Sequence, residues 1–99
     1  MGYRLLFNVT ETGAVQFAAP TGALVTTGAR ELVRELVEKH GAPPGGARVI
    51  VQMSYEPVAG GFYRKTADPH VLAVAPLQHG DPPTSLRIWA ARAGIPIVK

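Results

Sequence analysis

The sequence predicts an α+β domain in which one main helix packs on a β-sheet. An amphipathic helical pattern covers residues 28–40, and a Gly/Pro-rich break follows it at residues 41–46. Patterns rich in β-branched and aromatic residues lie on both sides of this helix, at residues 3–9 and 48–55, and such patterns are typical of strands. With 99 residues and no linker-like segment, the chain is expected to form a single domain over residues 1–99.

The first two strands are predicted to form a hairpin. Residues 3–9 (YRLLFNV) are the first strand, and Gly13 suits the turn that follows because tight hairpin turns need a positive φ. Residues 14–18 return as the second strand, with Val15 and Phe17 on one face. Residues 19–27 are interrupted by proline and glycine and predict no clear element.

The helix over residues 28–40 carries an apolar stripe at helical spacing: Ala29, Leu32, Val33, Leu36, Val37 and His40. Leu36 lies at the centre of this stripe and is expected to be buried against the sheet. Thr26 or Thr27 is the predicted N-terminal cap, because a hydroxyl oxygen can accept a bond from an otherwise unpaired N–H. Gly41 is the predicted C-terminal cap, and the Pro-Pro pair at 43–44 prevents continuation.

Residues 48–55 (RVIVQMSY) are the clearest strand. Alternation directs Val49, Val51 and Met53 to one face, and Ile50 and Gln52 to the other. A loop is expected at residues 56–61, a short strand at 62–66, a break at Asp68-Pro69, and a buried strand at 70–77.

A second helix is predicted near the end of the chain. Asp81 is a candidate cap with proline after it, and Thr84 is the competing cap. Its apolar face combines Leu86, Trp89, Ala90 and Ala93. Residues 95–98 are apolar and are expected to form a short edge strand, because Pro96 cannot donate to a ladder.

Two segments, EKHGAPP at 38–44 and RVIV at 48–51, resemble ubiquitin-like domains, in which a helix ends on glycine before a Pro-Pro turn and an Arg-led apolar strand. The resemblance implies a β-grasp fold with a mixed sheet over residues 3–77, and an exposed docking patch at Ile50 with Arg48 as its basic neighbour. The chain ends in Lys99 instead of Gly-Gly, so conjugation to targets is not implied. The alternative topology is a ferredoxin-like α+β sandwich.

Composition narrows the range of functions. The chain has no cysteine, which excludes disulfides and thiolate chemistry and is compatible with the cytoplasm. No apolar run is long enough to span a membrane, so no membrane partner is expected. The net charge is +3, and the whole excess lies in residues 46–99, which suits an acidic protein partner or nucleic acid.

The chemistry-bearing residues do not form a recognised catalytic or metal motif. Asp68, His70, His79 and Asp81 have side chains that bind zinc or manganese, but their spacing in predicted loops does not bring them together, so no metal or cofactor is expected. A small basic ribonuclease is nevertheless an alternative. In it, His40 or His70 would act as the base, and Tyr63, Arg64 and Lys65 would stabilise phosphate charge.

The sequence therefore favours a non-catalytic protein–protein interaction module or small regulatory protein that binds through an exposed sheet face. The predicted partner-binding residues are Arg48, Ile50, Gln52, Phe62, Tyr63, Arg64 and Lys65. Aromatic residues next to basic ones are common in protein interfaces and also in nucleic-acid sites, so a nucleic-acid-binding protein or ribonuclease is the second interpretation. The oligomeric state is left open.

Overall fold

The computed structural model describes residues 2–18 and 28–98 and has an α+β architecture. Its elements in chain order are β1 (Gly2–Val9), β2 (Val15–Phe17), α1 (Ala29–His40), β3 (Ala47–Val58), a one-turn 3₁₀ helix (Ala59–Gly61), β4 (Phe62–Pro76) and α2 (Thr84–Ala93). Within this part of the chain, no helix combines the length and hydropathy that crossing a membrane requires.

The four strands form one sheet in the order β2-β1-β3-β4, and every neighbouring pair is antiparallel. The β-grasp arrangement with its mixed sheet is not confirmed, since the parallel pairing found among the described residues is a single bridge between Val74 and Ile97. The element order is two hairpins, each followed by a helix. That order also differs from the β-α-β-β-α-β order of a ferredoxin-like sandwich.

One face of the sheet carries the hydrophobic core. Every second residue of the two central strands is buried: Leu5, Phe7 and Val9 in β1, and Val49, Val51 and Met53 in β3. Because successive strand side chains point to opposite faces, these residues lie on one side, where α1 and α2 cover them. The predicted facing of β3 is therefore correct, with Ile50 and Gln52 directed away from the helices.

The predicted apolar stripe of α1 is the face that packs on the sheet, but its most buried residues are not at the predicted centre. Ala29 and Val33, one turn apart, are completely buried, whereas Leu36 is half-buried. Leu36 therefore packs against the core as expected but is not fully buried, so the expectation is met only in part. The small side chain of Ala29 lets α1 approach the sheet along the Ala29–Val33 line, so Leu32 and Leu36 lie on the flank of the helix.

The helix ends show which capping signals act. Gly41 ends α1 as predicted, and its N–H donates to the Val37 carbonyl at 2.7 Å. At the other end of α1, Gly28 is the N-cap with φ of 84° and no side-chain bond, and the predicted caps Thr26 and Thr27 lie outside the described residues.

The start of α2 corrects both predicted caps, Asp81 and Thr84. Pro83 is the N-cap and makes no side-chain bond, while its carbonyl accepts the N–H groups of Leu86 and Arg87 at 3.1 Å. The start is delayed because a residue before proline is disfavoured in the helical region, and Pro82 stands before Pro83.

Strands β3 and β4 form one long hairpin where a loop and a break were expected. Its strands have 12 and 15 residues, and three register shifts each place one extra residue on β4. One shift lies at Asp68-Pro69, where proline has no N–H for the ladder, so the predicted break is absorbed as a bulge. Pro57 is tolerated because β3 has already become an edge strand beyond Ser54.

The outer part of this hairpin projects from the sheet. Pairing of β1 with β3 stops at Gly2–Ser54, so residues 55–67 continue as a two-stranded ribbon that ends at the Ala59–Gly61 turn. The protein is consequently elongated, with extents of 48 × 24 × 20 Å.

The C-terminal segment covers the free edge of β4 at one point. The Val74 N–H donates to the Pro96 carbonyl at 2.9 Å, and the Val98 N–H donates to the Val74 carbonyl at 2.8 Å. The expected short edge strand is therefore present as a bridge. Pro96, which has no N–H, contributes only its carbonyl to this bridge.

The two apolar positions of α1 should respond differently to truncation. Val33→Ala should lower the free energy of unfolding by about 1.5 kcal/mol or more, because two fully buried carbons are lost and a cavity is left. Leu36→Ala should cost less than the range of about 2–5 kcal/mol typical of a fully buried leucine. Chemical denaturation measures both. A larger loss for Leu36→Ala than for Val33→Ala would contradict this orientation of α1.

Trp89 should hold α2 against the end of α1. Its indole N–H donates to the His40 carbonyl at 3.2 Å and to the Gly41 carbonyl at 3.0 Å, and the side chain is 7% exposed. Native emission should be blue-shifted and should move to the red on unfolding. Trp89→Phe should cost about 1–3 kcal/mol in thermal melts, because both carbonyls lose this donor. Solvent-like emission in native buffer would refute the docking of α2.

Candidate protein-binding surface

The face of the sheet opposite the helices is the first candidate surface, and we call it the outer face. Its residues in the β2-β1-β3 part of the sheet follow from the register: Gln16, Arg4, Leu6, Asn8, Arg48, Ile50 and Gln52. Because α1 and α2 both pack on the other side, these side chains are not covered by a helix of the described chain.

The outer face has an apolar centre. Leu6 and Ile50 are directly opposed in the β1–β3 pairing, and Ile50 is opposed by Ala73 in the β3–β4 pairing. Opposed side chains have Cβ atoms about 4.5–5.5 Å apart, so these three adjoin across three strands. Ala73 is only 7% exposed, so Leu6 and Ile50 supply the accessible apolar surface. Leu6 and Ile50 are partly exposed and do not pack against the core.

Two arginines flank the apolar centre. Arg48 and Arg4 are exposed, lie on either side of the Leu6–Ile50 pair, and form no ion pair with a described residue. The outward residues of β1, β2 and β3 from Arg48 to Gln52 include no carboxylate. Arg4 and Leu6 were not among the predicted binding residues, although their alternation with the buried residues of β1 places them on this face.

Two amides complete this face. The Gln52 side-chain NH₂ donates to the Met53 carbonyl at 3.1 Å and to the Tyr3 carbonyl at 3.3 Å, so this donor is used within the fold. Asn8 lies opposite Arg48, and its side-chain oxygen is buried without a hydrogen-bond partner among the described residues. Because this oxygen is buried, it is not accessible to a partner.

The ribbon tip is the second candidate surface, and we define the tip as Val58, Phe62 and Tyr63. Phe62 is 71% exposed and Tyr63 is 57% exposed, so neither aromatic ring belongs to the core. Val58 and Phe62 are paired beside the turn, where Gly60 has φ of 83° and Gly61 has φ of 78°. Together they place three apolar side chains at the end of a projection.

The basic residues of the ribbon are neutralised within it. Arg64 forms an ion pair with Glu56, directly across the ribbon, and the Lys65 ammonium donates to the Asp68 carboxylate at 2.9 Å. The hydrogen bond and the charge of Asp68 raise the pKa of Lys65, and the same contact lowers the pKa of Asp68. Arg64 and Lys65 thus have intramolecular partners, although both side chains remain largely exposed.

The predicted partner-binding residues divide between two places. Arg48, Ile50 and Gln52 lie on the outer face, and Phe62 to Lys65 lie on the ribbon. Ile50 is separated from Glu56, the partner of Arg64, by six residues, or roughly 20 Å of extended strand. Arg64 and Lys65 consequently do not flank Ile50, as expected from the sequence, and Arg4 takes that position with Arg48.

Aromatic side chains gather on the helix side of the sheet, at the base of the ribbon. The rings of Tyr3 and Tyr55 stack with centroids 5.9 Å apart. Burial is the largest cause that raises the pKa of Tyr3 above its ordinary value of 10.0, and Tyr55 and Tyr63 raise it further. Phe7 and Phe17 pair with centroids 5.4 Å apart on the same side, so the outer face lacks these rings.

The structure does not assemble the metal candidates into one site. Among residues 2–18 and 28–98, no three histidine or acidic side chains are grouped so that they could hold a metal ion. His79 and Asp81 line a pocket beside Arg48, whereas His70 and His40 line a groove between α1, β4 and the end of α2. The ribonuclease alternative places its bases in that groove, but its phosphate-stabilising cations are paired with carboxylates on the ribbon.

Comparison with protein-family models, with curated proteins and with solved structures found no match for this chain.

The environment of Tyr3 predicts an alkaline loss of stability. A raised pKa means that the fold favours the neutral phenol, so this contribution is complete below the ordinary pKa of about 10 and is lost as the pH rises through the folded value. Tyr3→Phe should therefore lose less of its unfolding free energy than the unsubstituted chain between about pH 9 and 11. Urea denaturation at each pH measures this. Equal losses in both proteins would show that Tyr3 is not responsible.

Proposed function

We propose that this protein is a small, non-catalytic protein-interaction module that binds its partner through the outer face of the sheet. One observation carries the proposal: an apolar centre of Leu6 and Ile50 lies between two arginines that form no ion pair with a described residue, on a sheet face that no described helix covers. Interfaces commonly combine an apolar core with a polar rim. The proposed location is the cytoplasm, as the sequence predicts.

The charge of the surface specifies the partner. A partner with an apolar patch and acidic residues at its edge would complement Arg4 and Arg48, whereas a second copy meeting face to face would oppose like charges. We therefore propose an acidic-rimmed protein surface as the ligand.

The ubiquitin-like resemblance supports the same surface, because it assigns docking to Ile50 and to its basic neighbour Arg48. Both residues lie on the outer face. The β-grasp classification is not required for this role, which depends only on an antiparallel sheet with one uncovered side.

Nucleic-acid binding is the weaker interpretation. Single-stranded nucleic acids are typically held by aromatic rings that stack on bases within a basic groove. Here Tyr3, Tyr55, Phe7 and Phe17 lie on the helix side of the sheet, and the ribbon cations are neutralised by Glu56 and Asp68. The proposed face thus offers two cations without a stacking ring.

Ile50→Asp should abolish partner capture and leave the fold in place, because it puts a carboxylate in the apolar centre and opposite acidic residues of the partner. The matched control is Ile88→Asp, which makes the same change at a residue of α2 that is 49% exposed. The measurement is a pull-down from the native host with nuclease treatment of the lysate, quantified against the unsubstituted chain. Circular dichroism should show native spectra for both variants.

The outcomes separate the interpretations. Equal capture by Ile50→Asp and Ile88→Asp would exclude the outer face, and unfolding of Ile50→Asp would show that this face is covered. Loss of capture on nuclease treatment would favour the nucleic-acid interpretation. Arg4→Ala and Arg48→Ala should mainly slow association with the captured partner and reduce its salt dependence, whereas Arg64→Ala should have little effect because Arg64 is paired with Glu56.

A further inference from the structure

The outer face ends in a concave region beside Arg48. Arg48 and Ala75 are directly opposed in the β3–β4 pairing, so Ala75 lies on the same outward side of the sheet as Arg48. Ala75 is nevertheless only 7% exposed. A pocket of about 390 Å³ lies over it, lined by Arg48, by the end of β4 and by the loop that follows β4, residues 75–81. We call this pocket the recess, and Arg48 makes it continuous with the outer face.

The loop that forms the wall of the recess is held at both ends. Leu77 packs on the backbone of Gly46, where an added Cβ would lie 2.6 Å from the Leu77 Cδ1 atom. At the other end of the loop, Pro82 is buried and Pro83 is the N-cap of α2. A wall that is fixed in this way does not have to be ordered when a ligand binds, which favours affinity.

The recess combines hydrogen-bond donors with an apolar wall. The Arg48 guanidinium is a planar fork of N–H donors that matches a carboxylate, and it forms no ion pair with a described residue. Gln78 supplies an NH₂ group, and the imidazole of His79 has an N–H in both its neutral and its charged form. Pro76 and Leu77 supply apolar surface. These residues suit an anionic group that is carried on an apolar stem.

Asp81 distinguishes between the anions that could bind. Its carboxylate also lines the recess and therefore opposes an incoming negative charge. A phosphate group carries about two negative charges at neutral pH, whereas a carboxylate carries a single one, so the opposition is roughly twice as large for phosphate. The recess consequently favours a carboxylate over a phosphate.

We propose that the recess binds a glutamate side chain of the protein partner, with the carboxylate on Arg48 and the methylene stem along Pro76 and Leu77. The inference rests on the proposed function, because the partner that covers the apolar centre is the one that carries this glutamate. Arg48 and Ile50 lie two residues apart on β3, or roughly 7 Å. The partner's glutamate and the apolar residue that it places on Ile50 are expected to be about that far apart.

NMR titration of the full chain at neutral pH tests the recess by itself, with N-acetyl-glutamate α-methylamide as the probe. This probe has a single carboxylate, on its side chain, and the corresponding glutamine derivative is the uncharged control. The glutamate probe should produce saturable shifts in the amide signals of residues 77–81 and in the Arg48 side-chain N–H signal. The glutamine derivative should bind at least about tenfold more weakly, because it replaces a charged acceptor with a neutral one.

Three variants locate the site. Arg48→Met removes the cation, keeps an apolar stem, and should weaken binding of the glutamate probe at least about tenfold. The double substitution of Gln78→Ala and His79→Ala should also weaken it. Arg34→Met is the matched control, because it removes the same charge at an exposed residue of α1, and it should leave binding of the probe unchanged. All four positions are exposed, so native circular dichroism spectra are expected for every variant.

Capture of the partner from the native host connects the recess to the outer face. The double variant at Gln78 and His79 should capture less partner than the unsubstituted chain. Arg48→Met should speed dissociation of the captured partner, in addition to the slower association expected of both arginines of the outer face, because a seated carboxylate would lose its cation.

Four results with the probe would overturn the proposal: no saturable shift at the recess, equal binding of the two derivatives, tighter binding of inorganic phosphate, or equal weakening by Arg48→Met and Arg34→Met. Undiminished capture by the variant at Gln78 and His79, with capture lost in Ile50→Asp, would overturn the recess as a partner site and leave the outer-face proposal intact. Capture that survives Ile50→Asp, with the probe still bound at the recess, would overturn the outer-face proposal and the partner role of the recess but not its binding of a carboxylate.

Discussion

Strand β3 is hydrogen-bonded to β1 on one side and to β4 on the other, and it carries no extra residue along its length. Strict alternation is therefore preserved from Ala47 to Tyr55, with odd-numbered residues in the core and even-numbered ones outside. The helices cover the odd-numbered side, because that side offers the more extensive apolar surface. The even-numbered side, with Ile50 at its centre, is therefore left without a covering helix of the described chain.

The sequence predicts this part well because its signals are local. The period-two pattern of β3, the Gly41 stop and the apolar face around Trp89 are each set by neighbouring residues and reappear in the structure. Leu36 is less buried than expected because a helical stripe covers a wide angle, and the distance of approach to the sheet decides which part of it is buried. That distance depends on small residues such as Ala29, whose effect is tertiary.

The candidate surfaces were predictable only in part for the same reason. Alternation alone places Ile50 and Arg48 on one face, but the neighbours of that face come from strand order, which brings Arg4 beside Gln52. The pairing of Arg64 with Glu56 depends on the register of the β3–β4 hairpin. Pro57 and Pro69 made that hairpin look like a loop and a break in the sequence. Charges that appear available in the sequence are thus neutralised once the strands are aligned, and two arginines distant in sequence become the exposed pair.

The three extra residues of β4 have a consequence for variation in chain length. Because three is an odd number, the residues of β4 that share the side of the core change from even-numbered at Val74 to odd-numbered at Tyr63, while β3 keeps one parity throughout. A single residue gained or lost at a bulge of β4 can therefore be absorbed without reversing the sides on which Phe62 and Tyr63 emerge. The same change within β3 would exchange its inward and outward residues from that point to the turn. Natural insertions and deletions should accordingly be tolerated in one strand of this hairpin and eliminated from the other.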